Sequence, residues 1–243
     1  MIRRFSKLIV CFVFISACKK ENNCLQKSGN DISELRDTSS FFQAIRVQDI
    51  VDLDFHTQKQ NSIEIIGPEH LIDLVYTSVD SNQLHITNKN SCRWLGKYDK
   101  SFKIVANMPN IHNLEIYGAN NINGLDTIKS SYFRIYLETA SGSLNLKINN
   151  DILAYSDYSG ICKSKIEGYT EHLIMESRSN AQKDFKNLNC RKAQIINHGA
   201  THIYIGQVDT LDVIINHVGN VYYKGNPVIL QNQTNSTGKL IKY

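Results

Sequence analysis

The chain has 243 residues, of which 42% are hydrophobic and 21% are charged. This balance provides enough apolar side chains for a folded core and excludes a disordered polyelectrolyte. The formal charge is +4, but Arg3, Arg4 and Lys7 lie in a segment typical of a removable leader, and removing these three from 27 basic residues leaves 24 against 23 acidic ones. That near-neutral remainder excludes a basic protein that binds nucleic acid.

The first 17 residues have the pattern of a secretory signal, with a basic start, an apolar run from Leu8 to Ile15 and small residues before Cys18. The apolar run is too short to span a bilayer, which takes a helix of about 20 residues. Ile15-Ser16-Ala17-Cys18 resembles a bacterial lipobox, which implies cleavage before Cys18 and lipidation of its sulfur. The acyl chains would hold the protein on a membrane, since each buried methylene contributes about 0.8 kcal/mol. The alternative is ordinary secretion, with Cys18 as a plain thiol.

Residues 18–37 form a polar segment that we interpret as a tether between the lipidated cysteine and the folded part. Its start, Lys19-Lys20-Glu21-Asn22-Asn23, loosely resembles the surface-export signals of Bacteroidota lipoproteins. The sequence therefore predicts a lipoprotein of the cell envelope, anchored in the outer membrane by its N-terminal lipid and facing either the periplasm or the outside.

Four cysteines remain once the leader is removed and Cys18 is lipidated. Disulfides persist in an oxidising envelope compartment, and four cysteines allow three connectivities. We favour a bridge between Cys24 and Cys92 that joins the tether to the first strand-rich region. Cys162 and Cys190 either form a second bridge or stay buried as free thiols. Zinc is disfavoured because no close Cys pair or Cys-His spacing occurs.

Residues 38–110 carry strand signals of conventional length. Gly67-Pro68 interrupts them, and His70–Ser78 fits either a short helix or a strand. A polar loop of residues 88–100 holds the only tryptophan, Trp94, which is either a ligand platform or a packing anchor. The predicted strands are Phe42–Val47, Val51–Phe55, Ser62–Ile66, Gln83–Thr87 and Phe102–Ala106.

Residues 111–243 repeat one short pattern, in which an alternating apolar run is followed by a small or polar turn and a second apolar run. A period near 20 residues in a strand-rich chain is typical of a β-solenoid, whose coils bury their apolar faces against the coils above and below. Gly and Asn provide the left-handed conformations that tight corners need. The turns begin at Ala119, Ser141, Ser159, Ser179, Gly199 and Val218, which lie 22, 18, 20, 20 and 19 positions apart.

Ordered motifs also run along nearly the whole mature chain. They are Phe42-x-x-Ile45-x-Val47, Ile63-Glu64-Ile65, Gly67-Pro68-Glu69-His70-Leu71-Ile72, Met108-Pro109, Leu114-x-Ile116-x-Gly118 and Val221-Tyr222-Tyr223-Lys224-Gly225-Asn226-Pro227. Over about residues 38–242 this order resembles the head GIN domain, described as an autotransporter-adhesin head and widespread in Bacteroidota lipoproteins. The resemblance implies an all-β fold of two stacked β-helix-like portions, 38–110 and 111–243, with no established activity. Family turns tend to read Ser-Gly-Ser-Gly, whereas here Asn and His replace Gly in most turns.

Two Asn-His pairs, Asn197-His198 and Asn216-His217, recur one coil apart. Stacked coils would bring His198 and His217 within about 5 Å, the spacing of neighbouring strands. Two imidazoles at that distance bind a transition metal or respond to pH. The alternative is an outward position that histidine fills in each repeat. Because no third ligand recurs beside the pair, we predict no metal and no other cofactor.

Catalysis and binding make different demands on a solenoid surface. Polysaccharide lyases and hydrolases need paired carboxylates, or Ca²⁺-binding aspartates with a basic partner, on one face. The aspartates do not recur at a common coil position, and Glu138 and Glu176, which share one, lie two coils apart. Tyrosines suit a glycan or protein ligand, although in strands they are often half-buried. We therefore predict a non-enzymatic adhesion protein, with a β-helical glycan-active enzyme as the alternative. The candidate binding surface comprises Trp94, Tyr136, Tyr155 and Tyr158.

Overall fold

The computed structural model describes residues 30–36, 40–90 and 102–243. Lipidation of Cys18, the bridge between Cys24 and Cys92 and the role of Trp94 fall outside these residues and stay predictions. No helix within the three described ranges has the length and apolar character needed to cross a membrane.

The described chain is 70% strand and 3% helix, and it forms a β-solenoid of about six turns with coils of about 20 residues. The predicted all-β solenoid is therefore confirmed. One 3-10 helix covers Glu69–Leu74. The strands are β1 (Asp31–Arg36), β2 (Ala44–Gln48), β3 (Asp52–Thr57), β4 (Ser62–Pro68), β5 (Val75–Asp80), β6 (Gln83–Asn88), β7 (Lys103–Met108), β8 (Asn113–Ile128), β9 (Tyr132–Asp157), β10 (Lys163–Ser177), β11 (Lys183–Phe185), β12 (Leu188–Asn197), β13 (Ile203–Ile215), β14 (Val221–Lys224), β15 (Val228–Thr234) and β16 (Leu240–Lys242).

Each coil consists of two strand runs joined by corners, and each run pairs in parallel with the same run of the next coil. In one such ladder Asp157 of β9 pairs with Ser177 of β10, and Ser177 pairs with Asn197 of β12. Successive side chains in a strand point to opposite faces, so every second residue enters the coil interior. Four residues in one inward column are fully buried, which removes their apolar surface from water. They are Leu153, Leu173, Ala193 and Leu211.

Glycine is required where a corner of one coil touches the backbone of the coil before it. Gly142 has a φ of +94°, and a Cβ built there would lie 2.1 Å from the carbonyl oxygen of Asn120. Gly160 has a φ of +111°, and its Cβ would lie 1.9 Å from the carbonyl oxygen of Ala140. Side chains rarely adopt such φ values and would not fit at these distances, which explains the Ser-Gly turns at both corners.

The first portion of the fold continues the solenoid and covers its N-terminal end. β2 and β3 both pair in parallel with β8, so the described strands form a single sheet of 16 strands. On the other side β2 pairs with β6 and β3 pairs with β7. β5 then pairs with β6, β4 with β7, and β1 with β4, all antiparallel. The ambiguous stretch His70–Ser78 divides between the 3-10 helix and β5.

Cys162 and Cys190 are buried free thiols, so of the two alternatives for this pair the free-thiol one is confirmed. Burial disfavours the thiolate and raises the pKa of each thiol to about 12. The two side chains therefore pack as small apolar groups in the coil interior.

Candidate functional site

Three outward tyrosines from successive coils have their rings in contact, and we call this group the tyrosine column: Tyr117, Tyr136 and Tyr158. Tyr136 pairs with Glu115, so it stands two residues before the position that pairs with Tyr117. The ring centroids of Tyr117 and Tyr136 lie 6.0 Å apart, and those of Tyr136 and Tyr158 lie 5.3 Å apart. The rings are tilted against each other by 46° and 38°. Tyr158 is exposed, whereas the other two are half-buried. The structure thus brings together two predicted surface tyrosines and adds a third.

An arginine lies over each ring of the tyrosine column. The guanidinium carbon of Arg46 is 5.3 Å from the centroid of Tyr117. The corresponding distances are 5.2 Å from Arg134 to Tyr136 and 5.4 Å from Arg178 to Tyr158. Cation–π contacts of this kind hold both partners in fixed orientations. The sequence reasoning missed these arginines, although Arg134 lies two residues before Tyr136 and so points outward with it.

Carboxylates of the same surface neutralise part of this positive charge. Glu115 accepts a hydrogen bond from Arg46 Nε at 2.7 Å, and Glu176 accepts one from Arg178 Nε at 2.8 Å. Glu138 accepts a hydrogen bond of 2.7 Å from the hydroxyl of Tyr136. The surface therefore alternates aromatic rings with paired charges.

These contacts change the acidity of the side chains. Burial opposes the ionisation of Glu115, but hydrogen bonds from Asn113 and Arg46 outweigh it and hold the pKa of Glu115 below its ordinary value. The hydrogen bond to Glu138 stabilises the protonated hydroxyl of Tyr136 and raises its pKa to about 12. At neutral pH Glu115 is therefore ionised and the phenol of Tyr136 is neutral.

Tyr155 does not belong to the candidate surface, and its prediction as a surface residue is wrong. Its side chain is only 1% exposed, and its ring packs edge-on against Phe185 with centroids 5.2 Å apart. Its hydroxyl lies 2.8 Å from the hydroxyl of Ser164. In a strand, inward and outward positions alternate, and the three-residue separation from Tyr158 places the two tyrosines on opposite sides.

The predicted stack of His198 over His217 is also wrong. Asn197 pairs with Ile215 and not with Asn216, so paired residues of these two coils are one position closer in sequence than the two Asn-His motifs are. His198 consequently lies beside Asn216, with its Nδ1 atom 3.3 Å from the Asn216 amide nitrogen. Nowhere in residues 30–36, 40–90 and 102–243 do three or more His, Cys, Asp or Glu side chains form a group that could hold a metal ion.

Glu138 and Glu176 do not share a coil position as the spacing suggested. Glu138 pairs with Tyr117 in β8, whereas Glu176 pairs with Ser156 in β9. Each carboxylate is engaged by a neighbour, Tyr136 and Arg178 respectively. The arrangement is that of charges fixed within a surface.

A second aromatic group lies on the other strand run, near the C-terminal end. Tyr204 and Tyr222 are stacked, with centroids 4.7 Å apart and ring planes 10° from parallel. Tyr243 meets both rings edge-on, at 5.9 and 6.2 Å. The Nζ atom of Lys186 lies 4.5 Å from the Tyr204 centroid. These tight contacts among the rings favour a structural role in closing the last coils.

Comparisons with known proteins identify the fold and the family. A model of the family described as putative auto-transporter adhesin, head GIN domain, matches residues 41–227. No curated protein matches the sequence. A putative adhesin from Bacteroides fragilis superposes with a TM-score of 0.78 at 16% identity, covering 88% of this chain and 97% of that one.

Two further solved structures share the fold. A putative adhesin from Parabacteroides merdae has a TM-score of 0.64 at 17% identity, covering 89% of this chain and 98% of its own. A structure named putative lipid binding protein, from Parabacteroides distasonis, has a TM-score of 0.62 at 20% identity, with coverage of 89% and 98%. Since the family model extends over most of the chain, this protein belongs to the head GIN family of putative auto-transporter adhesins.

Proposed function

We propose that this protein is a non-enzymatic lipoprotein of the cell envelope that binds carbohydrate through the tyrosine column. The observation that carries the proposal is the row of rings 6.0 and 5.3 Å apart, each held by an arginine. Aromatic side chains offer an apolar face with a polar tip, which suits the mixed apolar and hydroxyl surface of a sugar. The neighbouring rings lie only 5.3–6.0 Å apart, so we expect an extended glycan to contact more than one of them.

The rigidity of the surface supports binding. Tyr117 and Tyr136 stand on strands whose backbone is paired on both sides, and their rings are held by arginines and neighbouring tyrosines. Side chains that are fixed before the ligand arrives lose little conformational freedom on binding. The pairing of Arg46 with Glu115 and of Arg178 with Glu176 favours a neutral glycan over a strongly charged one.

Two observations support a binding protein over a glycan-active enzyme. Glycoside hydrolysis uses two carboxyl groups that flank one bond, whereas Glu138 and Glu176 occupy different columns and are each engaged by neighbours. The matching family and two of the similar structures are named as adhesins. Hydrolysis of a glycan by the purified protein, abolished in Glu138→Gln or Glu176→Gln, would favour the enzyme.

Carbohydrate binding is tested with a glycan array followed by titration of the best ligand. We expect the double variant Tyr136→Ala and Tyr158→Ala to weaken binding by at least about tenfold, which corresponds to about 1.4 kcal/mol. Tyr132→Ala is the matched control, because Tyr132 is 43% exposed on the same strand but outside the column. Equal affinity in the double variant and the control would refute the assignment of the site.

Envelope anchoring is supported by the lipobox-like Ile15-Ser16-Ala17-Cys18 and by the adhesin family. The test is fractionation of cells that express the wild-type protein or Cys18→Ala. We expect the wild type to remain with the membrane and Cys18→Ala to lose the lipid. Protease treatment of intact cells then separates the two orientations, since an adhesin must be cleaved without breaking the outer membrane. Resistance of the lipidated protein on intact cells would contradict a role in adhesion.

A further inference from the structure

A lysine and an aspartate face each other inside the solenoid, separate from the tyrosine column. Lys183 is 0% exposed and Asp157 is 1% exposed. The Nζ atom of Lys183 lies 3.0 Å from Oδ2 of Asp157. Ser179 bridges the two groups, because its hydroxyl is hydrogen-bonded to the Asp157 carboxyl and accepts from Lys183 Nζ at 3.1 Å. The Lys183 amine also donates to the Ser179 carbonyl oxygen at 3.1 Å.

The pair lies in the interior of two neighbouring coils, among buried apolar side chains and near the buried thiol of Cys162. Lys183 occupies an inward column in which its partner on the next coil is the fully buried Ile203. In the column of Asp157, the residue on the preceding coil is Leu137, which is also fully buried. Dry charges are costly even when paired. Burial raises the pKa of Asp157 and lowers that of Lys183, which makes a carboxylic acid beside a neutral amine more accessible here than in water.

We propose that Lys183 and Asp157 condense into an intramolecular isopeptide bond that joins the two coils. The nitrogen of the neutral Lys183 amine attacks Cγ of the Asp157 carboxylic acid and forms the C–N bond. The bond from Cγ to the hydroxyl oxygen breaks, and that oxygen leaves as water with a proton taken from the amine. The reaction consumes no oxidant, reductant or cofactor.

Geometry and exclusion of solvent supply the conditions for this condensation. The Nζ atom of Lys183 lies 3.0 Å from Oδ2 of the carboxyl group that it attacks, and a nucleophile held against its reaction partner gains the large rate advantage of an intramolecular reaction. Desolvation activates a lysine as a nucleophile, and a dry site disfavours the reverse hydrolysis. The Ser179 hydroxyl contacts both reacting groups, so it is placed to pass the proton from the nitrogen to the departing oxygen.

The bond would have a mechanical role that does not depend on which ligand the surface binds. Asp157 is the last residue of β9, and Lys183 is the first residue of β11, which belongs to the next coil. A covalent link between them prevents these coils from separating when the protein is pulled. This link does not depend on the proposed carbohydrate site.

The test is a tryptic digest of the purified full chain, analysed by mass spectrometry under reducing conditions. An isopeptide lysine is not cleaved by trypsin, so we expect residues 148–163 and 179–186 to appear as one linked species, one water lighter than the two peptides together. Separate peptides, with cleavage after Lys183 and no loss of water, would overturn the proposal. Loss of water from peptide 148–163 alone would also overturn it, since that signals a succinimide at Asp157.

Three variants sharpen the result. We expect Lys183→Met, which keeps the length and apolar stem of the side chain, to abolish the linked species. Lys165→Met is the matched control: Lys165 is an exposed lysine of the neighbouring strand, and both diagnostic peptides remain intact. We expect Ser179→Ala to lower the linked fraction at a fixed time after synthesis, provided that circular dichroism shows a folded solenoid. A linked fraction equal to wild type in Ser179→Ala would overturn the proton-transfer role of the hydroxyl.

Discussion

Gly142→Ala isolates the contribution of close backbone contact between coils, because the chain offers a matched glycine. Gly142 and Gly225 both have a φ of +94°, so alanine meets the same backbone preference at either position. At Gly142 the added Cβ would lie 2.1 Å from the backbone oxygen of Asn120, which is paired in the ladder between β8 and β9. At Gly225 the Cβ would lie 2.6 Å from the amide nitrogen of the Gln207 side chain, which can rotate away.

The two substitutions should therefore differ by the cost of moving one coil away from the next. A left-handed conformation costs a residue with a side chain about 1–2 kcal/mol, and this is the whole loss expected for Gly225→Ala. Gly142→Ala adds an overlap that only a backbone shift relieves, and overpacking of this kind costs about 1–3 kcal/mol. We thus expect Gly142→Ala to lower the free energy of unfolding by about 2–5 kcal/mol.

Urea unfolding followed by far-UV circular dichroism measures this difference. The comparison is valid when both variants keep the wild-type dependence on denaturant, because the slope reports the surface exposed on unfolding. Equal destabilisation by the two substitutions would refute the reasoning, since the backbone overlap would then carry no cost. A Gly142→Ala protein as stable as the wild type would refute it as well.

Three further predictions concern buried or paired groups. The pKa of Glu115 is depressed in the folded state, so the stability that its charge contributes is present above the unfolded pKa and is lost as pH falls through the folded pKa. Glu115→Gln should therefore lower the free energy of unfolding at neutral pH by about 1–2 kcal/mol and reduce the loss of stability in acid. Urea midpoints of variant and wild type that differ by the same amount at all pH values would contradict this. Cys162 and Cys190, whose pKa values burial raises to about 12, should resist iodoacetamide in the native protein and react in urea, as peptide mapping would show; fast native labelling would count against their burial. Tyr155→Phe should lower the free energy of unfolding by about 1 kcal/mol, because one buried hydrogen bond is lost. The variant should leave the alkaline absorbance titration of the folded protein unchanged, because burial raises the pKa of Tyr155 well above its ordinary value. A smaller titration amplitude in the variant would show that Tyr155 ionises in the folded state.

The architecture was predictable because it follows from two periodicities that the sequence shows directly. Alternation of apolar residues indicates strands with one buried face, and recurrence of small turns near every 20 residues indicates stacked coils. The position of a column was harder to predict, because the corners contain variable numbers of residues. Ala119 pairs with Ser141, a step of 22, whereas Asn197 pairs with Ile215, a step of 18. The two Asn-His motifs are 19 residues apart, and taking that spacing as the coil length led to the wrong prediction that His217 lies beside His198.

The alternation of inward and outward residues could have identified Lys183 as buried, but a charged residue is usually assigned to the surface. Every second residue from Ala181 to Phe185 points inward, so a strand that buries the alanine and the phenylalanine also buries Lys183 between them. A lysine is almost never fully buried without a partner, and the partner lies on the previous coil. Only the register between coils identifies it as Asp157, and that register depends on corner lengths.

The tyrosine column also determines how this surface is seen by other molecules. Its members come from three different coils, and their arginines lie as far apart in the chain as Arg46 and Arg178. No short peptide cut from the chain contains more than a fraction of the surface. Antibodies raised against linear fragments should therefore miss this face, whereas antibodies that block it must recognise a discontinuous epitope that exists only in the folded stack.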